Sequence, residues 1–266
     1  MVVFTNVKKK DIEHLGDKEE TKTIYETLRM KHHGVMMILY ASEKLLLQGK
    51  KDKVEKVADL LKKAGIGKEV KQEEFRTETG WVIGSDEALK GDTFGGLVVA
   101  AVKADTNIRK KLEELGVKDS KKLEDTEILV MAKKIRAIAG CEVKSILPLE
   151  YNRMKHVTLM LNHLHHECAN FLGPGKHIVD LYPGCAVGDI RETKAESKYI
   201  EVAAASVLAR AAGLEQLNFL SKEAKFTVPK GSTHVKEGLK QLQERKLDFK
   251  RFVKVDFNNV KKFLEG

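Results

Sequence analysis

The sequence predicts an α/β protein with a mixed central sheet, preceded by a smaller α+β domain. From about residue 80 onward, short apolar runs bounded by glycine or polar residues alternate with longer segments of helical apolar spacing. A polar stretch over residues 68–78 separates that part from an N-terminal region with its own apolar hairpin and helix. We therefore predict one domain at residues 1–75 and a second at residues 76–266, whose C-terminal part is helical.

The composition is typical of a globular protein with a highly charged surface. Of the 266 residues, 33% are charged and 42% are hydrophobic, and the formal net charge of +9 favours a polyanionic partner or an acidic membrane surface. The three scattered cysteines contain no CxxC, which argues against a disulfide framework and a structural zinc site. We find no signal peptide and no apolar stretch of transmembrane length. We expect a cytoplasmic protein that is a monomer and does not bind membranes.

The first predicted domain contains an apolar hairpin and a basic helix. Val2–Phe4 predicts a short strand, and two apolar runs within residues 34–48 predict a hairpin with a polar turn at residues 41–43. Residues 50–64 have apolar side chains at helical spacing, lysines on the opposite face, and Gly65 as a stop signal. The lysine face fits either a grip on a phosphate backbone or an ordinary solvated surface.

The second domain begins with a predicted hairpin over residues 81–102 that carries two adjacent acids. An apolar run reaches Gly84, Asp86 and Glu87 follow, and a glycine-rich turn leads into a second apolar run. The acids either are solvated and open a turn, or they belong to a site where a cation neutralises them. Neighbouring strand residues point to opposite faces, so the two acids share a site only if the strand ends or bends there.

Helices and strands alternate in the rest of the chain. The patterns predict helices at residues 107–115, 124–139 and 153–172, strands at 141–149 and 177–181, and a later helix that ends at Arg245. The helix after Tyr199 is so rich in alanine that it must lie close against a flat surface. We expect the basic tail with Phe249, Phe252 and Phe257 to pack against the domain rather than contact nucleic acid.

Two further acids could join the pair in the hairpin. Asp180, near the end of the strand at 177–181, either caps the next turn or faces a site in the sheet. Glu196 either caps the start of the alanine-rich helix or belongs to the same site. If the sheet brings Asp86, Glu87, Asp180 and Glu196 together, hard divalent cations relieve their mutual repulsion. Two Mg²⁺ or Mn²⁺ ions about 4 Å apart would suit phosphoryl transfer.

Five motifs, in their order and spacing, resemble the type 2 ribonuclease H superfamily over most of residues 80–260. They are GSDEALKGDTFGG, VKDSKKL, VDLYP, KAESKYIEVAAASVLAR and PKGSTH, which begin at Gly84, Val117, Val179, Lys194 and Pro229. The segment GVMMILYASEKLLLQGK, which begins at Gly34, is similar to the substrate-binding domain that marks ribonuclease HIII and is absent from ribonuclease HII.

The resemblance implies a ribonuclease H fold and an N-terminal domain similar to the TATA-binding protein that grips the substrate. It implies cleavage of the RNA strand of RNA/DNA hybrids by metal-activated water, leaving 3′-hydroxyl and 5′-phosphate ends. The family's acidic quartet maps onto Asp86, Glu87, Asp180 and Glu196, and the glutamate in fourth place fits the ribonuclease HIII pattern. By the same resemblance, the two aspartates are the central metal ligands and the two glutamates complete the set.

The resemblance also implies contacts to the substrate. Such proteins recognise the ribose 2′-hydroxyl partly through backbone at a glycine–basic–glycine turn, which maps onto Leu89, Lys90 and Gly91. Leu89 departs from that pattern, which bears on how closely the backbone approaches the ribose and on recognition of single ribonucleotides in DNA. Ser120, Lys121 and Lys122 are expected to contact phosphate groups, although this segment could instead be a capped helix start with solvated lysines. Lys230, Ser232 and His234 belong to a further loop that is expected to lie on the substrate side.

Three other functions stay open at this point. One is a ribonuclease HII-like enzyme that also incises DNA at single ribonucleotides. The second is a non-catalytic nucleic-acid binder, against which the intact acidic quartet argues. The third is a different two-metal nuclease, such as a resolvase-like DNA enzyme on a related fold.

Overall fold

The computed structural model describes residues 2–70, 75–117, 123–154 and 156–265. The chain forms two compact units, Met1–Glu73 and Glu74–Gly266. Within the residues so described, no helix combines the length and apolar character that crossing a membrane requires.

The first unit is an antiparallel sheet with a helix packed against it. Its strands are β1 (Val2–Thr5), β2 (Asp17–Glu19), β3 (Glu26–His32), β4 (Val35–Tyr40), β5 (Leu45–Gln48) and β6 (Lys68–Glu69), and its helices are α1 (Lys9–Ile12) and α2 (Lys51–Lys63). In space the strands follow the order β2-β3-β4-β5-β1-β6. The predicted hairpin is confirmed as β4–β5, and the predicted helix is confirmed as α2.

Alternate residues of these strands form the core of the first unit. Met37, Leu39 and Leu47 are buried in a cluster that includes the apolar face of α2, as the period of two along a strand requires. The strand β3 was not predicted, because its charged residues interrupt the apolar alternation. Arg29 of β3 is nevertheless buried, and Glu26 accepts two hydrogen bonds of 2.9 Å from its guanidinium.

The second unit is built on a mixed sheet, which confirms the predicted α/β class. Its strands are β7 (Val82–Ala88), β8 (Leu97–Ala104), β9 (Gly140–Ile146), β10 (Lys176–Asp180) and β11 (Ile190–Glu192), in the spatial order β11-β10-β7-β8-β9. The strands β7, β8 and β9 are antiparallel, whereas β10 runs parallel to both β7 and β11. The predicted hairpin over residues 81–102 is confirmed as β7–β8, and β7 continues beyond its apolar run.

Helices cover both faces of this sheet, α7 with α3 and α4 on one face and α6 on the other, and α8 and α9 pack with the C-terminal part of α7. The helices of the second unit are α3 (Thr106–Glu114), α4 (Asp125–Ile138), α5 (Pro148–Tyr151), α6 (Val157–Phe171), α7 (Ile200–Ala224), α8 (Val235–Glu244) and α9 (Asn258–Glu265). The helices predicted at 107–115, 124–139 and 153–172 correspond to α3, α4 and α6. Asp105 fixes the start of α3, because its side chain accepts hydrogen bonds from the backbone N–H groups of Asn107 and Ile108.

The alanine-rich α7 lies directly on the sheet, as its composition predicts. It packs on the face that carries Ala100, whereas α6 packs on the opposite face, which carries Val99. A Cβ atom added to Gly84 would lie 2.3 Å from backbone atoms of Glu201 and Val202 in α7. Only glycine at this position of β7 allows α7 to approach so closely.

The C-terminal tail packs against the second unit, which confirms the expectation for its aromatic residues. Phe252 is buried, and Phe249 and Phe257 pack around the same apolar cluster. Asn152 holds the tail from the other side, since its amide nitrogen donates to the carbonyl oxygens of Lys250 (3.0 Å) and Val253 (2.8 Å).

Candidate active site

Asp86 and Glu87 lie within β7 and point to opposite faces of the sheet. They pair with Ala100 and Val99 of β8, which belong to the faces covered by α7 and α6 respectively. The Asp86 side chain accordingly hydrogen-bonds Ser206 of α7. Because β7 ends one residue later, both carboxylates stand at the end of the strand although they start on different faces.

The carboxyl group of Asp86 is buried and has a strongly perturbed pKa. Its exposed fraction is 8%. Burial, together with the negative charges of Glu87 and Asp180, raises the pKa of Asp86 from 3.8 to about 8. Hydrogen bonds from Ser206 and from the backbone N–H of Glu87 (2.8 Å) act in the opposite direction and do not outweigh this. Asp180 is therefore close enough for its charge to raise the pKa of Asp86.

Glu87 lies between two basic side chains. Lys90 Nζ is 3.0 Å from its Oε1, and His165 Nε2 is 3.4 Å from its Oε2. Burial alone would raise the pKa of Glu87, but these two neighbours bring that pKa below its ordinary value. Among the described residues, Glu87 Oε2 has no hydrogen-bond donor.

A buried chain of hydrogen bonds lies beside this glutamate. Ser85 Oγ is 2.7 Å from Nδ1 of His165 and 2.8 Å from Nε2 of His177. Burial lowers the pKa of His177 to about 4, so this ring is neutral at neutral pH. None of these three residues was predicted to belong to the site. The available signal was the position of His165 beside Cys168 on the apolar face of α6.

The loop before α7 brings Asp180 and Glu196 close together. Asp180 ends β10, and its Oδ1 accepts a hydrogen bond of 2.8 Å from the backbone N–H of Ala195. Glu196 follows directly, in a 3-10 turn over Ala195–Ser197. Asp180 thus caps this turn, and its charge also raises the pKa of Asp86; its place in a shared site stays a prediction.

These acids offer oxygen ligands without forming a finished metal site. Among the residues that the structure describes, no group of three or more His, Cys, Asp or Glu side chains is arranged to hold a metal ion. The chemistry of the donors nevertheless fits a hard divalent cation. Asp86 resists ionisation because of burial and neighbouring negative charge, and Glu87 Oε2 is buried without a donor. A divalent cation relieves both costs.

The sequence is similar to known ribonucleases H. The sequence model of the family described as Ribonuclease HII matches residues 83–174 and 185–260. Ribonuclease HIII of Macrococcus caseolyticus is 30% identical to this chain, in an alignment that covers 99% of this chain and 97% of that protein. The chain belongs to the ribonuclease HIII family.

Further comparisons agree with this family. Ribonuclease HIII of Exiguobacterium sibiricum is 35% identical over 57% of each chain. The crystal structure of Bst-RNase HIII in complex with Mn²⁺ matches with a TM-score of 0.64 at 25% identity, and covers 99% of this chain and 98% of that one. The resemblance to the type 2 ribonuclease H superfamily, the ribonuclease H fold and the classification as a ribonuclease H enzyme are thereby confirmed. The likeness of the first unit to the TATA-binding protein stays a prediction.

In this ribonuclease HIII-family chain, two of the expected substrate elements adjoin. The backbone N–H of Gly231 donates to Oδ2 of Asp92 (3.2 Å), which joins the C-terminal loop to the turn after β7. Lys230 forms an ion pair with Asp125. Ser232 lines a groove with lysines of α8 and α9, and His234 begins α8 with a φ of 58°. The expected phosphate contacts at residues 120–122 lie outside the described residues.

Leu89 stands where the ribonuclease H resemblance expects glycine, and its backbone has the conformation that favours glycine. Its φ is 65°. Its side chain fits beside Gly213, where an added Cβ atom would lie 3.2 Å from Leu89 Cγ. Lys254, another residue that the sequence analysis missed, donates a hydrogen bond of 2.7 Å to its carbonyl oxygen. The turn thus keeps a left-handed start despite the departure from the pattern.

Proposed function

We propose that this chain hydrolyses the RNA strand of RNA/DNA hybrids at a site formed by Asp86, Glu87, Asp180 and Glu196, leaving 3′-hydroxyl and 5′-phosphate ends. The observation that carries the proposal is the Asp86 carboxyl, whose pKa of about 8 reflects burial and the charges of Glu87 and Asp180. In a member of the ribonuclease HIII family, a buried carboxyl group under the influence of two other acids supports a site for two Mg²⁺ or Mn²⁺ ions. Bst-RNase HIII has been crystallised in complex with Mn²⁺, which supports the same assignment.

The protein's contribution is to hold its carboxylates ready. When bound, the cations supply activation of water and neutralisation of charge at the phosphate. Asp86 and Asp180 act as the central ligands, and Glu87 and Glu196 complete the set. Lys90 holds Oε1 of Glu87 with a hydrogen bond of 3.0 Å, and the carboxylate is largely buried, so it loses little freedom when a ligand binds.

Three further elements contact the substrate in this proposal. The turn of Leu89, Lys90 and Gly91 contacts the ribose 2′-hydroxyl, which distinguishes RNA from DNA. The adjoining loop at residues 230–234 contacts the phosphate backbone. The domain at residues 1–75 grips the hybrid through lysines of α2, and the domain at residues 76–266 carries the chemistry.

The proposed activity is tested with strand-labelled substrates in the presence of Mg²⁺ or Mn²⁺. The panel contains a uniform RNA/DNA hybrid, double-stranded DNA, double-stranded RNA, and DNA with one embedded ribonucleotide. We expect cleavage of the RNA strand of the hybrid alone. Incision at the embedded ribonucleotide would favour the ribonuclease HII-like alternative, cleavage of DNA a resolvase-like nuclease, and binding without cleavage a non-catalytic binder.

The site assignment is tested with Asp86→Asn, which keeps the shape of the side chain and removes its ability to ionise when a cation binds. We expect kcat on the hybrid to fall at least about a hundredfold, as for loss of a key electrostatic group. Mn²⁺ binding, measured by calorimetry without substrate, should weaken in parallel. Glu113→Gln on the exposed face of α3 is the matched control and should be neutral. Near-normal turnover by Asp86→Asn would refute the assignment.

A further inference from the structure

A lysine of the C-terminal tail lies buried beneath the turn at residues 89–92. Lys254 has an exposed fraction of 0%. Its Nζ donates hydrogen bonds to the backbone carbonyl oxygens of Leu89 (2.7 Å) and Asp92 (2.5 Å). The ring centres of Tyr151 and Phe257 lie 5.3 and 5.2 Å from the same nitrogen. The ammonium group is therefore enclosed by two carbonyl groups and two aromatic rings.

Burial of this ammonium is unfavourable in itself. It lowers the pKa of Lys254 to about 8, although the charges of Asp92 and Asp256 oppose the shift. A buried charge contributes little net stability compared with an apolar side chain of similar volume, which avoids the loss of hydration. The contacts of Lys254 therefore point to a role in fixing the position of the groups that it binds.

The turn above Lys254 has a backbone that needs support. Leu89 has a φ of 65°, a left-handed conformation that is unfavourable for side chains other than glycine. Its carbonyl oxygen accepts hydrogen bonds from Lys254 and from the backbone N–H of Asp92 (3.1 Å). A charged donor at this carbonyl also polarises the peptide group, so the N–H of Lys90 becomes a stronger donor.

Lys254 reaches the turn from a firmly attached position. Its backbone N–H donates to the carbonyl oxygen of Thr93 (3.0 Å), and the N–H of Gly95 donates to Phe252 (3.0 Å). The side-chain amide of Asn259 adds a hydrogen bond of 2.8 Å to Thr93 Oγ1. The tail is thus attached to the residues that follow the turn, and the Lys254 side chain extends back to Leu89, the first residue of the turn.

We propose that Lys254 is a positioning residue for recognition of the ribose 2′-hydroxyl. It fixes the direction of the Leu89–Lys90 peptide and strengthens its N–H group as a hydrogen-bond donor. The inference rests on the proposed function, in which this turn meets the RNA strand. Lys254 would thus contribute to the discrimination between RNA and DNA without touching the substrate.

The test replaces Lys254 with methionine, which fills similar space without charge or donors. We expect KM for the hybrid to rise about tenfold while kcat changes less than about twofold, the effect of losing one charge-assisted hydrogen bond, or about 1.4 kcal/mol. Binding measured by fluorescence anisotropy in Ca²⁺ buffer should show the preference for hybrid over double-stranded DNA falling by a similar factor. Amide hydrogen exchange at Lys90 should become faster.

Two controls separate this role from a purely structural one. Lys250→Met, on an exposed lysine of the same tail, should leave KM and the hybrid preference unchanged. If Lys254→Met does not fold, Lys254→Arg takes its place; its planar group cannot repeat the ammonium geometry, and we expect a KM increase of about threefold. A folded Lys254→Met that melts at a lower temperature but keeps the wild-type KM and hybrid preference would overturn the inference, as would unchanged values in the arginine variant where it is the one used.

The wild-type protein distinguishes this inference from the function on which it rests. Failure of the wild-type chain to cleave the hybrid would overturn the proposed function and the inference together. An active wild type beside an unaffected position-254 variant would overturn the inference alone.

Discussion

Replacement of His165 by alanine tests how much the buried hydrogen bonds of His165, Ser85 and His177 stabilise the fold. The ring is fully buried, and its Nδ1 lies 2.7 Å from Ser85 Oγ. It also packs against the ring of Tyr182, with centres 5.4 Å apart. Alanine therefore opens a cavity between α6 and β7 and removes one of the two partners of the serine hydroxyl.

The expected loss of stability follows from these two effects. The cavity costs about 2–3 kcal/mol, and the weakened hydrogen bonding of buried polar groups about 1–2 kcal/mol more. A total of about 4 kcal/mol corresponds to a decrease in melting temperature of about 8–16 °C for a domain of this size. Both the cavity and the broken hydrogen bond lie in the second unit, so its transition should move.

Thermal unfolding followed by circular dichroism measures this shift. His163→Ala is the matched control, because His163 lies on the same helix with 62% of its side chain exposed and contacts Glu167 at the surface. We expect the control to change the melting temperature by less than about 2 °C, in line with surface substitutions. Equal melting temperatures for the two variants would show that His165 and its buried hydrogen bond do not stabilise the fold.

Two further predictions concern the packing and the ionisation of the second unit. Gly84→Ala places a Cβ atom 2.3 Å from the backbone of α7, so we expect a loss of at least about 3 kcal/mol in urea unfolding. Gly140→Ala, with its nearest neighbour at 3.8 Å, is the control, and an equal effect of both changes would contradict this packing argument. The pKa of Lys254 is about 8 in the folded protein and 10.5 ordinarily, so the unfolded chain binds more protons between these values. As pH rises from 8 to 10.5, the free energy of unfolding of the wild type should therefore increase by up to about 3 kcal/mol relative to that of Lys254→Met. Urea titrations at several pH values measure both free energies. A difference between the two proteins that does not change with pH would refute the lowered pKa.

Regular elements with one apolar side were predictable from the sequence. The hairpin of β4 and β5, the helix α2 and the hairpin of β7 and β8 each show the spacing of their secondary structure within a few residues. The strand β3 was not predicted, because its charged residues interrupt the apolar alternation. Arg29 is buried beside Glu26, whose carboxylate accepts two hydrogen bonds, and apolar spacing does not reveal such a pair.

The end of β7 shows why the candidate site was only partly predictable. The motif identified Asp86 and Glu87, but their environment comes from other elements: Ser206 from α7 on one face and His165 from α6 on the other. A strand that carries polar side chains on both faces is stable at this point because each face offers a partner. Local sequence carries no information about partners that lie far away in the chain.

Lys254 extends the same argument from stability to specificity. The phenylalanines of the tail predicted that it packs, and the tail does pack. That pattern gave no sign of a buried lysine, whereas the Lys254 ammonium lies inside and donates to the carbonyl groups of Leu89 and Asp92. The same contact accounts for the departure from glycine at position 89, because a hydrogen bond to the carbonyl and apolar packing of the side chain together offset the unfavourable φ. Leu89 in the turn and the buried Lys254 in the tail, which lie far apart in the sequence, thus stabilise the same backbone conformation.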